Sequence, residues 1–362
     1  MHQEPSGVRI MAYTAIDDPS AHFQTTLYSG DGSTQSITNG GNSDLQPDWV
    51  WIKERSASDD HKSYDSSRGT TKKISQNDTS TEENQEGLTA FNSDGFSLGS
   101  HAGSNQSGQT YVAWQWKANG GSRTTFAEDG NNPAGGYQAN TTAGFSIIDY
   151  TGTGATGTIA HGLGAKPDFW VIKNRAASGW SWYLYHGSNT SAPETELLYM
   201  NNTDATLDTD AVWNDTAPTS SVFTVNTNGG VNDDDNTYIC YLFTSIQGYS
   251  KFGGYTGNGN ADGTFVYTGF KPAWVMWKRT DGGTGMWQIM DTTRDPFNVM
   301  DLYLQANATN AEGDYDFVDF LSNGFKHRHT SSHSNGDGET YIYLAFAESP
   351  FVTSGGVPCT AR

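Results

Sequence analysis

Pro167-Asp168-Phe169-Trp170-Val171-Ile172-Lys173-Asn174-Arg175 is an apolar run with a proline at its start and a basic end, and the chain contains it three times. The other copies are Pro47-Asp48-Trp49-Val50-Trp51-Ile52-Lys53-Glu54-Arg55 and Pro272-Ala273-Trp274-Val275-Met276-Trp277-Lys278-Arg279, each with proline six positions before lysine. A short run of β-branched and aromatic residues bounded in this way reads as a strand. The surroundings repeat with it. Tyr28, Tyr150 and Tyr255 precede the three prolines by 19, 17 and 17 residues. Thr110, Thr237 and Thr340 follow Phe96, Phe223 and Phe325 by 14, 14 and 15. Such agreement marks an internal repeat of roughly 100 residues, the size of one β-sandwich and too long for a solenoid repeat.

The expected fold class is therefore all-β: three tandem antiparallel β-sandwich domains, jelly-roll-like, with little helix. Residues 1–20 read as an N-terminal docking segment, 21–118 as the first sandwich and 119–140 as a Gly/Asn/Ser/Thr-rich linker. Residues 141–248 and 249–348 read as the second and third sandwiches, and 349–362 as a tail. A period this long argues for a string of self-sufficient units. Each unit closes on a strand apolar at nearly every position, such as Thr237-Tyr238-Ile239-Cys240-Tyr241-Leu242-Phe243. Such a strand belongs in the centre of a sheet with both faces covered. Ser80-Thr81-Glu82-Glu83 has the form of a cap for one short helix.

Composition excludes several functions. The formal charge is −20 and no Lys/Arg cluster stands out, which argues against a nucleic-acid backbone as partner. No stretch approaches the roughly 20 apolar residues of a membrane helix. No signal-peptide core opens the chain, so synthesis in a cytoplasm is expected. Two cysteines, Cys240 and Cys359, read as separate free thiols.

Chemistry-bearing constellations are few. The turn Asp65-Ser66-Ser67-Arg68 recurs as Asp291-Thr292-Thr293-Arg294, while the second repeat has Tyr185-His186-Gly187-Ser188 there. An Asp-capped turn closed by an Asp–Arg pair explains the motif. Asp233, Asp234 and Asp235 cluster before the second closing strand, and Ca2+ is the ion that oxygen-rich loop would suit; a solvated turn is the plainer reading. His327 and His329 would share one face of a strand, with no carboxylate or cysteine to complete a metal set. Nucleophile-elbow, zincin and phosphate-loop motifs are missing, so no enzyme activity is expected and a paired-carboxylate glycosidase finds no support. Exposed aromatics remain, and Trp180, Trp182 and Trp213 are the candidates to stack on a ligand at a sandwich rim.

Leu45-Gln46-Pro47-Asp48-Trp49-Val50-Trp51-Ile52-Lys53, Ser93-Asp94-Gly95-Phe96-Ser97-Leu98-Gly99, Tyr111-Val112-Ala113-Trp114-Gln115-Trp116-Lys117-Ala118 and Phe346-Ala347-Glu348-Ser349-Pro350-Phe351 carry a resemblance. So does Met11-Ala12-Tyr13-Thr14-Ala15-Ile16-Asp17-Asp18-Pro19-Ser20. Together these stretches resemble a repeat-domain family in structural proteins of marine tailed bacteriophages, over nearly the whole chain. The resemblance implies a non-enzymatic virion-surface protein without cofactors, made in the host cytoplasm. It implies a tail fibre or receptor-binding appendage contacting host-surface glycan or protein, a homo-oligomer with a trimer favoured. The alternative is a capsid decoration protein docked on the major capsid protein. A tail-associated polysaccharide-degrading enzyme is a third reading. Other virion proteins are the expected partners, with no nucleic acid and no membrane insertion.

Overall fold

The computed structural model describes residues 12–282 and 285–360. The protein is all-β, with 5% helix and 43% strand in several antiparallel sheets. Three large sheets carry the architecture. In each, the closing strand (Thr110–Trp116, Thr237–Phe243 or Thr340–Pro350) lies between an opening strand (Phe23–Ser29, Phe145–Thr151 or Ser250–Thr256) and an organising strand (Trp49–Glu54, Phe169–Asn174 or Phe270–Arg279). The closing strand is thus central, as its unbroken apolar sequence requires.

Strand alternation sends successive side chains to opposite faces. Val50 and Ile52 pack with Ile37, Leu88, Phe96 and Leu98 of a three-stranded sheet within the first repeat. Trp170 and Ile172 pack with Ile159, Phe223 and Val225 of a two-stranded sheet in the second. Val275 and Trp277 pack with Val266, Phe320 and Phe325, on strands that continue the third large sheet.

The other face of every large sheet points into one common core. Trp49 and Trp51, Phe169 and Val171, and Trp274 and Met276 belong to a single buried cluster. The closing strands add Trp116, Phe243 and Phe346, whose rings stand 5.5 to 6.4 Å from one another. The expectation of self-sufficient units is therefore corrected. Each repeat covers one face with its own strands, a small sheet in the first two and the continuation of the large sheet in the third, and the second apolar face is covered by the other two repeats.

Two further readings change. Residues 1–11 lie outside the described residues, but the rest of the expected docking segment is part of the fold: Ile16 is buried in the common core and Thr14 Oγ1 donates to Gln247 O at 2.9 Å. Ser80–Glu83 caps no helix. Ser80 N–H instead donates to Asp78 Oδ1 at 2.9 Å in a turn, and Glu83–Asn84 is a short strand. Cys240 and Cys359 are free thiols, and no helix among the described residues is long and apolar enough to cross a membrane.

Trp170 stacks on Tyr185 with ring centroids 3.8 Å apart and is 1% exposed. Trp170→Ala should lower stability in denaturant melts by about 3–5 kcal/mol. A change below about 1 kcal/mol would contradict this packing.

Candidate functional site

The residues singled out for binding do not converge. Trp182 is buried in the common core, its Nε1 donating to Ser75 O at 2.7 Å. Trp213 is buried in the second repeat's own core, its Nε1 donating to Glu196 O at 3.0 Å. Neither presents a ring to solvent, which corrects the rim reading for both. Trp180 alone keeps a partly exposed ring, packed beside Tyr183. Asp233, Asp234 and Asp235 are exposed, and Asp233 Oδ2 accepts from Asn236 Nδ2 at 2.8 Å within the turn. Among the described residues no group of three or more His, Cys, Asp or Glu is placed to hold a metal. His327 is fully buried, 4.9 Å from the Tyr255 ring and 5.2 Å from that of Trp277, and burial pushes its pKa down to about 3. It is a neutral core residue.

The polar chemistry lies in the three seams where the large sheets meet, and it is cyclic. Four residues before the Asp or His of each turn stands a ring N–H donor: His61, Trp182 and Trp287. His61 Nε2 meets Gln305 O at 3.0 Å, Trp287 Nε1 donates to Tyr199 O at 2.9 Å, and Trp182 Nε1 donates to Ser75 O. A carbonyl only accepts, so His61 carries its proton on Nε2, and its Nδ1 accepts from Trp51 Nε1 at 2.9 Å. The donors run first repeat to third, third to second and second to first, as a threefold arrangement requires.

The recurring Asp–Arg turn serves the same seams. Asp65 Oδ1 accepts from the N–H groups of Ser67 and Arg68 at 3.1 and 2.9 Å, closing the turn. Its Oδ2 accepts from Arg68 Nε and, across the seam, from Tyr241 Oη at 2.7 Å. Asp291 Oδ1 likewise accepts from Thr293 and Arg294 N–H at 3.2 and 2.9 Å. Its Oδ2 takes Arg294 Nε at 2.5 Å and Trp114 Nε1 at 3.0 Å. Trp114, Tyr241 and Leu344 each lie four residues into their closing strands. Leu344 has no donor to offer, and the turn facing it carries His186 in place of aspartate. His186 Nδ1 accepts from Ser188 N–H at 3.1 Å, and its Nε2 donates to Tyr343 O at 3.1 Å. The donor has moved from one side of the seam to the other, which explains the missing Asp-x-x-Arg of the second repeat.

Arginines lock the two Asp-bearing seams. Arg175 grips Glu82 through Nε and Nη2 at 2.8 and 3.1 Å, and Glu82 also meets Arg68 Nη1 at 3.3 Å. Arg55 grips Glu312 through Nε and Nη2, with a closest approach of 2.7 Å, and Glu312 meets Arg294 Nη1 at 3.0 Å. Burial alone would weaken the charge on Arg68 and Arg294. The facing Asp65 and Asp291 outweigh it, and both guanidinium pKa values are raised. A backbone bond is common to all three seams, with Glu82, Glu312 and Thr206 N–H donating to Arg175, Arg55 and Thr280 O at 3.1, 2.9 and 2.9 Å, and in the third it stands without the Arg–Glu pair. Lys53, Lys173 and Lys278, the repeat lysines, are buried with their ammonium groups on backbone carbonyls, and burial lowers each to about 8.

The Asp, Glu and Arg groups hold sheets together, and their charges are satisfied by one another. Asp291→Ala would leave Arg294 buried beside Glu312 alone, and chemical denaturation should show a loss of about 3–5 kcal/mol. A loss under about 1 kcal/mol would mean that the seam does not depend on the pair. Burial pushes His186 down to about 4, against 6.5 for the unperturbed group. The folded state therefore binds fewer protons than the unfolded chain as pH falls from 6.5 through 4. Stability should drop by about 3 kcal/mol across that window through this residue. His186→Gln should remove that part of the acid slope; an unchanged slope would contradict it.

No curated protein matches this chain. The profile of a domain family described as a domain of unknown function (DUF7483) matches residues 18–350, and its description names no activity. The match takes in all three repeats together, from the residue that caps the first helical turn to the end of the last closing strand. The common core explains why the repeats travel as one unit, and the chain belongs to this DUF7483 family.

Proposed function

We propose that the protein is a non-enzymatic structural and attachment module of a virion surface, with the layered repeats read as three jelly-roll-like sandwiches fused around one core. The observation that carries the non-enzymatic reading is the use of charge. The buried Asp–Arg turns and the Glu-gripping arginines are engaged in joining sheets, and the repeat lysines are held on backbone carbonyls. Such groups support a rigid scaffold and leave surface loops and edges for recognition. Placement on a virion rests on the resemblance of the repeat motifs to marine phage structural proteins. In the appendage reading the module contacts a host-surface glycan or protein, and Trp180 is the aromatic candidate for stacking.

A second reading, a decoration protein docked on a capsid, is favoured by a specific observation. The threefold arrangement closes inside one polypeptide, so two further copies are not needed to build it. Light scattering separates the two. A mass of 39.2 kDa, one chain, supports decoration, and three times that mass supports the trimeric appendage.

A further inference from the structure

Two of the three seams are closed in different ways, and among the described residues the remaining one is left open. Each opening strand is the edge that its repeat presents to a seam. In the first repeat, Lys117 N–H donates to His22 O at 3.0 Å and Gly30 N–H to Gln109 O at 2.9 Å. Even-numbered residues of Phe23–Ser29 thus turn their N–H and C=O groups to the closing strand, and Phe23, Thr25 and Leu27 turn theirs outward.

In the second repeat the same parity holds, since Thr244 N–H donates to Gly144 O and Gly152 N–H to Asn236 O. There the outward edge is occupied: the linker, expected as a structureless connection, forms a strand at Ala134–Asn140 that pairs antiparallel with Phe145–Thr151. Gln138 lies opposite Ile147 and crosses the seam, its Nε2 donating to Ser67 Oγ at 2.6 Å. In the third repeat the edge is closed by direct packing. A β-carbon on Gly254 would stand 3.2 Å from Ser188 O, so glycine lets the turn of the second repeat sit against the strand.

Among the described residues the first repeat has neither device. Its opening strand is the edge of its sheet, and between it and the third repeat lies a cleft of about 540 Å3 walled by Thr25, Leu27, Ala273, Thr293 and Ala347. By position in the repeat, Thr25 corresponds to Ile147, and Thr293 to Ser67. Thr25 Oγ1 is buried without a hydrogen-bond partner among the described residues. In a chain of net charge −20 the cleft has one carboxylate in its lining, Glu348, which Lys271 holds at 2.7 Å.

We propose that this cleft is a strand-acceptor site. An extended segment of a partner protein adds antiparallel to Phe23–Ser29, in the way the linker strand adds to Phe145–Thr151. The segment is neutral and rich in small residues, and it places a Gln or Asn opposite Thr25 to bond Thr293 across the seam, as Gln138 opposite Ile147 bonds Ser67. The cleft continues the seam between the first and third repeats, so the incoming strand extends an interface already formed.

The test uses the full chain and a fluorophore-labelled synthetic peptide of residues 133–141, which contains the linker strand. Saturable binding is expected by anisotropy. Thr25→Pro removes an outward N–H at an edge position that tolerates proline, and Thr293→Trp fills the cleft from the opposite wall at an exposed turn. Each should weaken binding roughly tenfold or more while thermal melts stay cooperative. Absence of saturable binding, or equal binding by the wild type and Thr293→Trp, would overturn the proposal. A dimer in sedimentation that Thr293→Trp disperses would also overturn it, naming a second copy as the occupant.

Discussion

Each large sheet of this protein has two apolar faces and only one partner layer of its own. Everything else follows from that mismatch. An exposed face carrying Trp49, Trp51, Trp114 and Trp116 would leave several large aromatic side chains in water, at roughly 1.5–3 kcal/mol each. Three such sheets remove the problem by turning these faces toward one another. The result is a threefold arrangement inside one chain, with an aromatic centre to which Trp116, Phe243 and Phe346 each contribute from a closing strand.

Burying that centre also buries the polar groups at its margin, and these must be satisfied across the seams. The chain meets the requirement with equivalent positions and not always with equivalent residues. Where the closing strand offers Trp114 or Tyr241, an aspartate accepts. Where it offers Leu344, His186 turns the bond around and donates to the backbone. The same logic governs the opening edges, covered by a strand in one seam and closed by Gly254 in another. Symmetry is kept in the core, where packing couples all three repeats, and relaxed at the periphery, where each seam finds its own partners. Departures from the repeat are therefore the places where this chain can differ in what it binds.

The sequence by itself determined the all-β class, the three organising strands, the central closing strands and the Asp-capped turns. All of these rest on local period and turn chemistry, which act within a few residues. Only the tertiary structure decided what covers the second face of each sheet, because a continuous apolar strand reports that both faces are buried but not by what. For the same reason Trp182 and Trp213 read as rim residues and lie in cores: a tryptophan's identity does not state its depth. Tyr241 is 176 residues from Asp65, and no local pattern links them. The open cleft beside Thr25 was invisible too, since the three opening strands read alike and differ only in what folds against them.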